Sequence, residues 1–314
     1  MDLTGLIEDL RAKSFRILNA ASDHRGTYVY LEDSEEKDPA VTIKEWMDRP
    51  ARERATAPNK PSFAYVTSAN DSYMPAVERL IKSVRKHDPG RKIYAILQRP
   101  VNEGEIAIPM TPRELQTWRE SGITLASHLK LKYMKRVALE SEEDYLVWLD
   151  SDCELYGRPD LARFANRDRT VFACLEGDIF SAKKNWWWTL DQWRKVLARM
   201  NHPRPEFYNL NGGFFGVHRK RILELEDFYN SIPDRDLGIP KTMDEAYLSY
   251  AIQAMEKDLD LLMIERNLDV FMYTFEFPKP TQFVNWCTGK KTPLPPKTGI
   301  IHFIGGHNKI TKTG

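Results

Sequence analysis

The sequence predicts an α/β fold: a mostly parallel central sheet with helices on both faces. Three observations predict it. From residue 62, apolar segments of strand length alternate with amphipathic segments of helical period. Strand segments such as "YLVWL" at 145–149 show little apolar-polar alternation, as strands buried on both faces do. At 42% hydrophobic and 29% charged over 314 residues, the chain has enough apolar material for a sizeable core.

The elements follow in order. Residues 1–60 read as an appendage. Leu3, Leu6, Ile7 and Leu10 fall on one helical face, "GTYVYLED" is a short strand, and "VTIKEWMDRPARERATAPNKPS" is a polar, proline-punctuated linker. Residues 61–314 form the main domain. "SFAYVTSA" is its first strand, and "MPAVERLIKSVRKH" is an amphipathic helix with Val77, Leu80, Ile81 and Val84 on one side. "KIYAIL" is a second strand. "TPRELQTWRES" is a helix, with Pro112 in its first turn. "LKLKYMKRVALE" is another helix, and "DYLVWLD" a strand. Beyond residue 160 the pattern is mixed: "NGGFFGVHR" and "GIIHFIGG" read as strands and "MDEAYLSYAIQAMEK" as a helix.

Charge and cysteines narrow the function. A formal net charge of +1 argues against a protein that wraps nucleic acid, which needs a surplus of Lys and Arg. Cys153, Cys174 and Cys287 are widely spaced with no CxxC pair, which argues against a thiolate zinc site. Such an odd, low count fits reduced thiols in a cytoplasmic setting. The first residues are acidic and amphipathic, unlike a signal peptide. No stretch approaches the roughly 18 consecutive apolar residues of a membrane span.

Ligands of open α/β sheets gather at the carboxyl ends of strands. Asp150 and Asp152 lie there, one residue apart, at the end of "YLVWLDSD". Two carboxylates so placed can converge on one hard cation, which would offset the cost of burying them. The alternative is that they cap a turn, since Asp and Ser are common turn residues. After "FAYVT", the polar turn Thr67 to Asn70 leads to Tyr73, a flat ring on which a base could stack; the plainer reading is a strand-to-helix turn. In "IIHFIGGHNK", His302 sits beside Gly305 and Gly306, with Lys309 after them. That combination can ligate a cation and face phosphate oxygens, although a lone strand histidine is often structural. Asn211 precedes Gly212 and Gly213, which permit close backbone approach. Asp244 and Glu245 open a helix, where acids also favour the helix dipole. Trp186, Trp187 and Trp188 are adjacent and cannot all face one core. At least one faces solvent or a cleft wall, where it could stack on an acceptor, or the three pin an irregular loop.

The order of these pieces resembles nucleotide-sugar glycosyltransferases of the GT-A fold, most closely the glycogenin-like family 8. "TSANDSY" matches the end of that family's first strand. "LKLKYMK" matches its lysine-bearing helix, "VWLDSD" its DxD strand, and "LNGGFFGV" its Asn-x-Gly strand. Asp244-Glu245 matches its Asp-Gln helix start, and "HFIGGHNK" its closing His-Phe-x-Gly. The match covers roughly residues 62–310. It departs from the family at Glu245, at Gly212 and in the spacing to Lys309.

The resemblance implies a UDP-sugar donor and a divalent metal, Mn2+ or Mg2+, held by Asp150, Asp152 and His302. It implies that Thr67, Asn70 and Tyr73 hold base and ribose, that Gly305, Gly306 and Lys309 contact the diphosphate, and that Asn211, Gly212, Gly213, Asp244 and Glu245 surround the transferred sugar. Lys132 is matched to the donor-contacting lysine, with Lys130 and Lys135 competing. Transfer would retain the anomeric configuration. The acceptor is open among a glycan, a protein, a metabolite and a modified nucleic-acid base, and so is the oligomeric state. Two other classes stand beside this one: a metal-dependent phosphohydrolase, since DxD also follows strands in aspartate-nucleophile phosphatases, and a non-catalytic nucleotide-sugar-binding protein.

Overall fold

The computed structural model describes residues 16–23, 26–32, 61–121, 127–165, 170–178, 207–232, 244–255, 259–264, 271–274, 280, 282–284, 291–293 and 299–303. The helix expected around Leu3 to Leu10 and the linker before residue 61 lie outside the described residues. Strands β1 (Arg16–Asp23) and β2 (Gly26–Glu32) form an antiparallel hairpin, and β2 is the strand expected from "GTYVYLED".

From Phe63 to Leu149 the chain follows the expected alternation. Strand β3 (Phe63–Ala69) leads through a short 3-10 turn to helix α1 (Met74–His87). Then come β4 (Lys92–Leu97), β5 (Ile106–Pro109), helix α2 (Pro112–Ser121), helix α3 (Lys130–Glu140) and β6 (Tyr145–Leu149). Local chemistry accounts for the helix ends. Pro75 sits in the first turn of α1, where its missing N–H costs nothing, and Arg85, Lys86 and His87 face the negative end of its dipole. Helix α2 opens on a reciprocal cap: Thr111 N–H donates to Glu114 Oε2 at 2.8 Å, and Glu114 N–H to Thr111 Oγ1 at 3.3 Å.

The second half holds β7 (Cys153–Leu155), β8 (Thr170–Asp178), β9 (Tyr208–His218), helix α4 (Ile222–Ser231) and helix α5 (Asp244–Ala254). Five short strands end the order: β10 (Asp260–Ile264), β11 (Phe271–Thr274), β12 (Gln282–Val284), β13 (Lys291–Pro293) and β14 (Ile300–Phe303). Strands β9 and β14 and helix α5 are the expected ones. The sequence pattern predicts no element at β1, β5, β7, β8, α4 or β10–β13.

The central sheet has seven strands in the order β10-β8-β9-β6-β3-β4-β5. Six run one way; β9 is antiparallel to both neighbours. Strands β3 and β6 are buried throughout, with both faces covered. Ala64, Val66, Leu146 and Trp148 face a core shared with α2, α3, α4 and α5. Phe63, Tyr65, Tyr145, Val147 and Leu149 face α1 and a smaller sheet ordered β11-β14-β7. No helix among the described residues is long and apolar enough to cross a membrane.

Candidate active site

The chain runs outward from β3 to β5 and then returns to place β6 on the other side of β3. This reversal opens a crevice at the carboxyl ends of β3 and β6, where such sheets bind ligands. Asn70 and Tyr73 follow β3 there, and Asp150 to Asp152 follow β6. The aspartate turn is also the passage between two sheets. Its first residue leaves the large sheet and its last enters β7 of the small one.

The small sheet brings His302 to the turn. Strand β14 pairs antiparallel with β7, setting His302 opposite Cys153. Phe303 N–H donates to the Asp152 carbonyl at 2.9 Å, which fixes the two strands at that point. His302 Nε2 then lies 3.0 Å from Asp152 Oδ1. One ligand atom from each of Asp150, Asp152 and His302 falls within 4.8 Å of the others. These three, more than 150 residues apart at the extremes of the site, are the expected metal set. Cys153 is not among them, although it adjoins Asp152. Burial, added to the nearby charges of Asp152 and Asp150, pushes its thiol well up, so it stays protonated.

Each carboxylate has partners. Asp150 Oδ1 accepts from Trp148 Nε1 at 2.7 Å, and its carboxylate lies 2.9 Å from the Lys130 ammonium. Lys130 also donates to the Gly212 carbonyl at 2.8 Å and sits over the Trp148 ring. Burial would lower the pKa of His302. The charge of Asp152, its hydrogen bond and the charge of Asp150 outweigh that and raise it above the ordinary value.

Strand β9 supplies the opposite wall. Asp150 N–H donates to the Gly213 carbonyl at 3.0 Å, and Gly213 N–H to Asn211 Oδ1 at 2.8 Å. Gly213 is glycine for a steric reason. A Cβ there would stand 2.6 Å from His302 Cε1 and 2.8 Å from Nδ1. Glu245 reaches across from the first turn of α5, where its Oε1 accepts from Asn211 Nδ2 at 2.9 Å and from Gly212 N–H at 3.2 Å.

The other expected residues fall as follows. Tyr73 is half-buried against Trp118, and its phenol is pushed up to about 12 by burial and then by the charges of Asp152 and Asp150. Asn70 opens the turn before Tyr73 and accepts from Ser72 Oγ at 2.7 Å. Thr67 lies fully buried inside β3. Lys132 pairs with Glu114 Oε1 at 3.1 Å, while Lys135 pairs with Glu226 and Asp227. The lysine that reaches Asp150 is Lys130. Residues two apart on a helix point to different faces, and Lys130 shares its face with the buried Tyr133, Met134 and Val137. That phase was readable in the sequence. Asp244 begins α5. Gly305, Gly306, Lys309, Trp186, Trp187 and Trp188 lie outside the described residues.

No family model matches the chain, and no curated protein matches it. Solved structures align with it at TM-scores below 0.5. One is a glycosyltransferase involved in the glycosylation of the major capsid of PBCV-1, 10% identical with a TM-score of 0.46, over 81% of this chain and 98% of that one. Another is the bifunctional glycosyltransferase WbbM in its apo form, 15% identical with a TM-score of 0.47, over 79% of this chain. The match spans about half of WbbM, 47% of its chain. The chemistry of the site rests on its own residues.

Proposed function

We propose that the protein is a metal-dependent glycosyltransferase of GT-A type, moving a sugar from a UDP-sugar donor to an acceptor with retention at the anomeric carbon. The observation that carries this reading is the meeting of Asp150, Asp152 and His302 at the carboxyl end of β6, beside Tyr73. Two carboxylates and an imidazole are a donor set for a hard divalent cation, Mn2+ or Mg2+. A cation held there supplies charge neutralisation to a departing diphosphate.

The chain's own residues then divide the work. Tyr73 offers a ring face to the base, and Asn70 an amide at its edge. Lys130, held on Gly212 and Asp150, presents a positive charge to the donor. Asn211 and Glu245, locked together, border the transferred sugar. Asp244, at the first position of α5, is the group proposed to stabilise the cationic sugar or attack it. Gly305, Gly306 and Lys309 follow β14 closely in sequence and are proposed for the diphosphate. Trp186, Trp187 and Trp188 are proposed for the acceptor, which stays open among a glycan, a protein, a metabolite and a modified base.

Incubating the full chain with a panel of UDP-sugars and Mn2+ tests this. The expected result is release of UDP that stops with EDTA and is faster when an acceptor-containing lysate fraction is added. Hydrolysis of simple phosphate esters with all UDP-sugars untouched would instead make it a phosphohydrolase. Thermal stabilisation by UDP and Mn2+ with no turnover would make it a binding protein.

A further inference from the structure

Strand β9 outruns its neighbour. Strand β6 pairs with it only from His218 back to Phe214, and Asp150 adds a bond at Gly213. Beyond that point β8 still covers one edge of β9, down to Tyr208. Among the described residues no strand pairs with the other edge there, and a bare buried edge would leave amides and carbonyls unpaired.

Helix α5 fills that edge with side chains. Glu245, Ser249 and Gln253 form one stripe at i, i+4 and i+8. Glu245 accepts from Gly212 N–H at 3.2 Å. Ser249 Oγ accepts from Leu210 N–H at 2.9 Å, and Gln253 Oε1 from Tyr208 N–H at 3.0 Å. Gln253 Nε2 returns a bond to the Tyr208 carbonyl at 2.8 Å, so this amide pairs with Tyr208 as a strand residue would. Ser249 and Gln253 are both buried. The spacing works because two strand residues advance about 6.8 Å and four helix residues about 6 Å. The stripe therefore reads β9 at every second residue, and a slip by one residue would break every contact.

We propose that Ser249 and Gln253 are positioning residues for the site. They hold the register of β9, which sets where Gly212 and Gly213 stand. The Gly212 carbonyl anchors Lys130, the Gly213 carbonyl receives Asp150 N–H, and the bare Cα of Gly213 leaves the space that His302 occupies. The stripe thus ties the start of α5 to Asp150 and His302 without touching either. This inference rests on the metal reading above.

The test uses the full chain and Mn2+ alone. Ser249→Ala, Gln253→Met and the double variant are titrated with Mn2+, and amide exchange is followed at Leu210, Gly212 and Asp150. The double variant is expected to bind Mn2+ about tenfold more weakly, as loss of outer partners of a metal site does. Ser249→Thr, which keeps the hydroxyl, is expected to bind as the unaltered chain does. Exchange at Gly212 and Asp150 is expected to quicken about tenfold. A lower unfolding midpoint with unchanged Mn2+ affinity and unchanged exchange at Asp150 would make these residues merely structural and overturn the proposal. If Gln253→Met does not fold, Ser249→Ala with its Thr rescue decides by the same readouts. If the unaltered chain binds no Mn2+, the metal reading falls, and exchange at Gly212 and Asp150 alone decides the positioning claim.

Discussion

The aspartate half of the site and the histidine half are built differently. Asp150 ends a strand that lies inside a seven-stranded sheet, buried on both faces and paired on both edges. His302 lies on a four-residue strand in a separate three-stranded sheet. The two meet at the Asp152 carbonyl, at the His302–Asp152 side-chain contact, along the β7–β14 pairing and at the gap over Gly213. A rigid frame therefore presents the carboxylates, and a small appended sheet brings the imidazole to them. The lesson is that the spacing of the two aspartates is the width of the passage between the sheets. One carboxylate belongs to each side.

The harshest way to break this arrangement is at the passage itself. Asp152→Asn keeps the side-chain shape and the backbone bond to Phe303 but removes the charge beside His302. Mn2+ binding is expected to be lost and turnover to fall by at least about 10² to 10³, the usual effect of removing one preorganised electrostatic partner. Far-UV circular dichroism is expected to be unchanged. Near-native turnover in this variant would remove the metal from the mechanism.

The same contrast explains what could be read in the sequence. Strands β3 and β6 were legible because burial on both faces makes β6 an unbroken apolar run and opens β3 on one, and α1 because its apolar residues recur with helical period. The DxD turn was legible with them. The histidine half was legible at β14 alone. Strand β7, of three residues, and β11, of four, are too short to show a period, and the partner of β7 lies far along the chain. His302 stood out through its glycines and the family pattern, yet nothing local says that it pairs across to Cys153. The helix stripe on β9 was missed for another reason. Ser249 and Gln253 are polar residues on a helix, and without knowing where β6 stops no one would bury them.

A gentler break acts on the histidine half alone. Gly213→Ala would place a methyl 2.6 Å from His302 Cε1 and 3.0 Å from Asn211 Oδ1, so the ring must move. Overpacking of this kind costs about 1–3 kcal/mol. The expected outcome is a lower unfolding midpoint and Mn2+ affinity reduced about tenfold, with the aspartates in place. Gly90→Ala is the control, since nothing lies within 4 Å of a Cβ there. Equal Mn2+ affinity in Gly213→Ala and Gly90→Ala would show that the imidazole does not contribute a ligand.

The mildest break tests how firmly the small sheet is fastened to the frame. Strand β7 has β14 on one edge. Its other edge meets α1, where Ser83 Oγ accepts from Leu155 N–H at 2.9 Å and Arg79 pairs with Glu154. This is a shorter version of the device that α5 applies to β9, with helix residues at i and i+4. Ser83→Ala leaves the Leu155 amide without its acceptor, and a buried donor so stranded costs about 1–3 kcal/mol. Because Phe303 still donates to the Asp152 carbonyl, the metal set should keep its geometry. Urea unfolding is therefore expected to shift by that amount, with Mn2+ affinity altered by less than about threefold, well under 1 kcal/mol. A loss of affinity as large as that of Gly213→Ala would mean that α1, rather than the β7–β14 pairing, holds the histidine half against the aspartates.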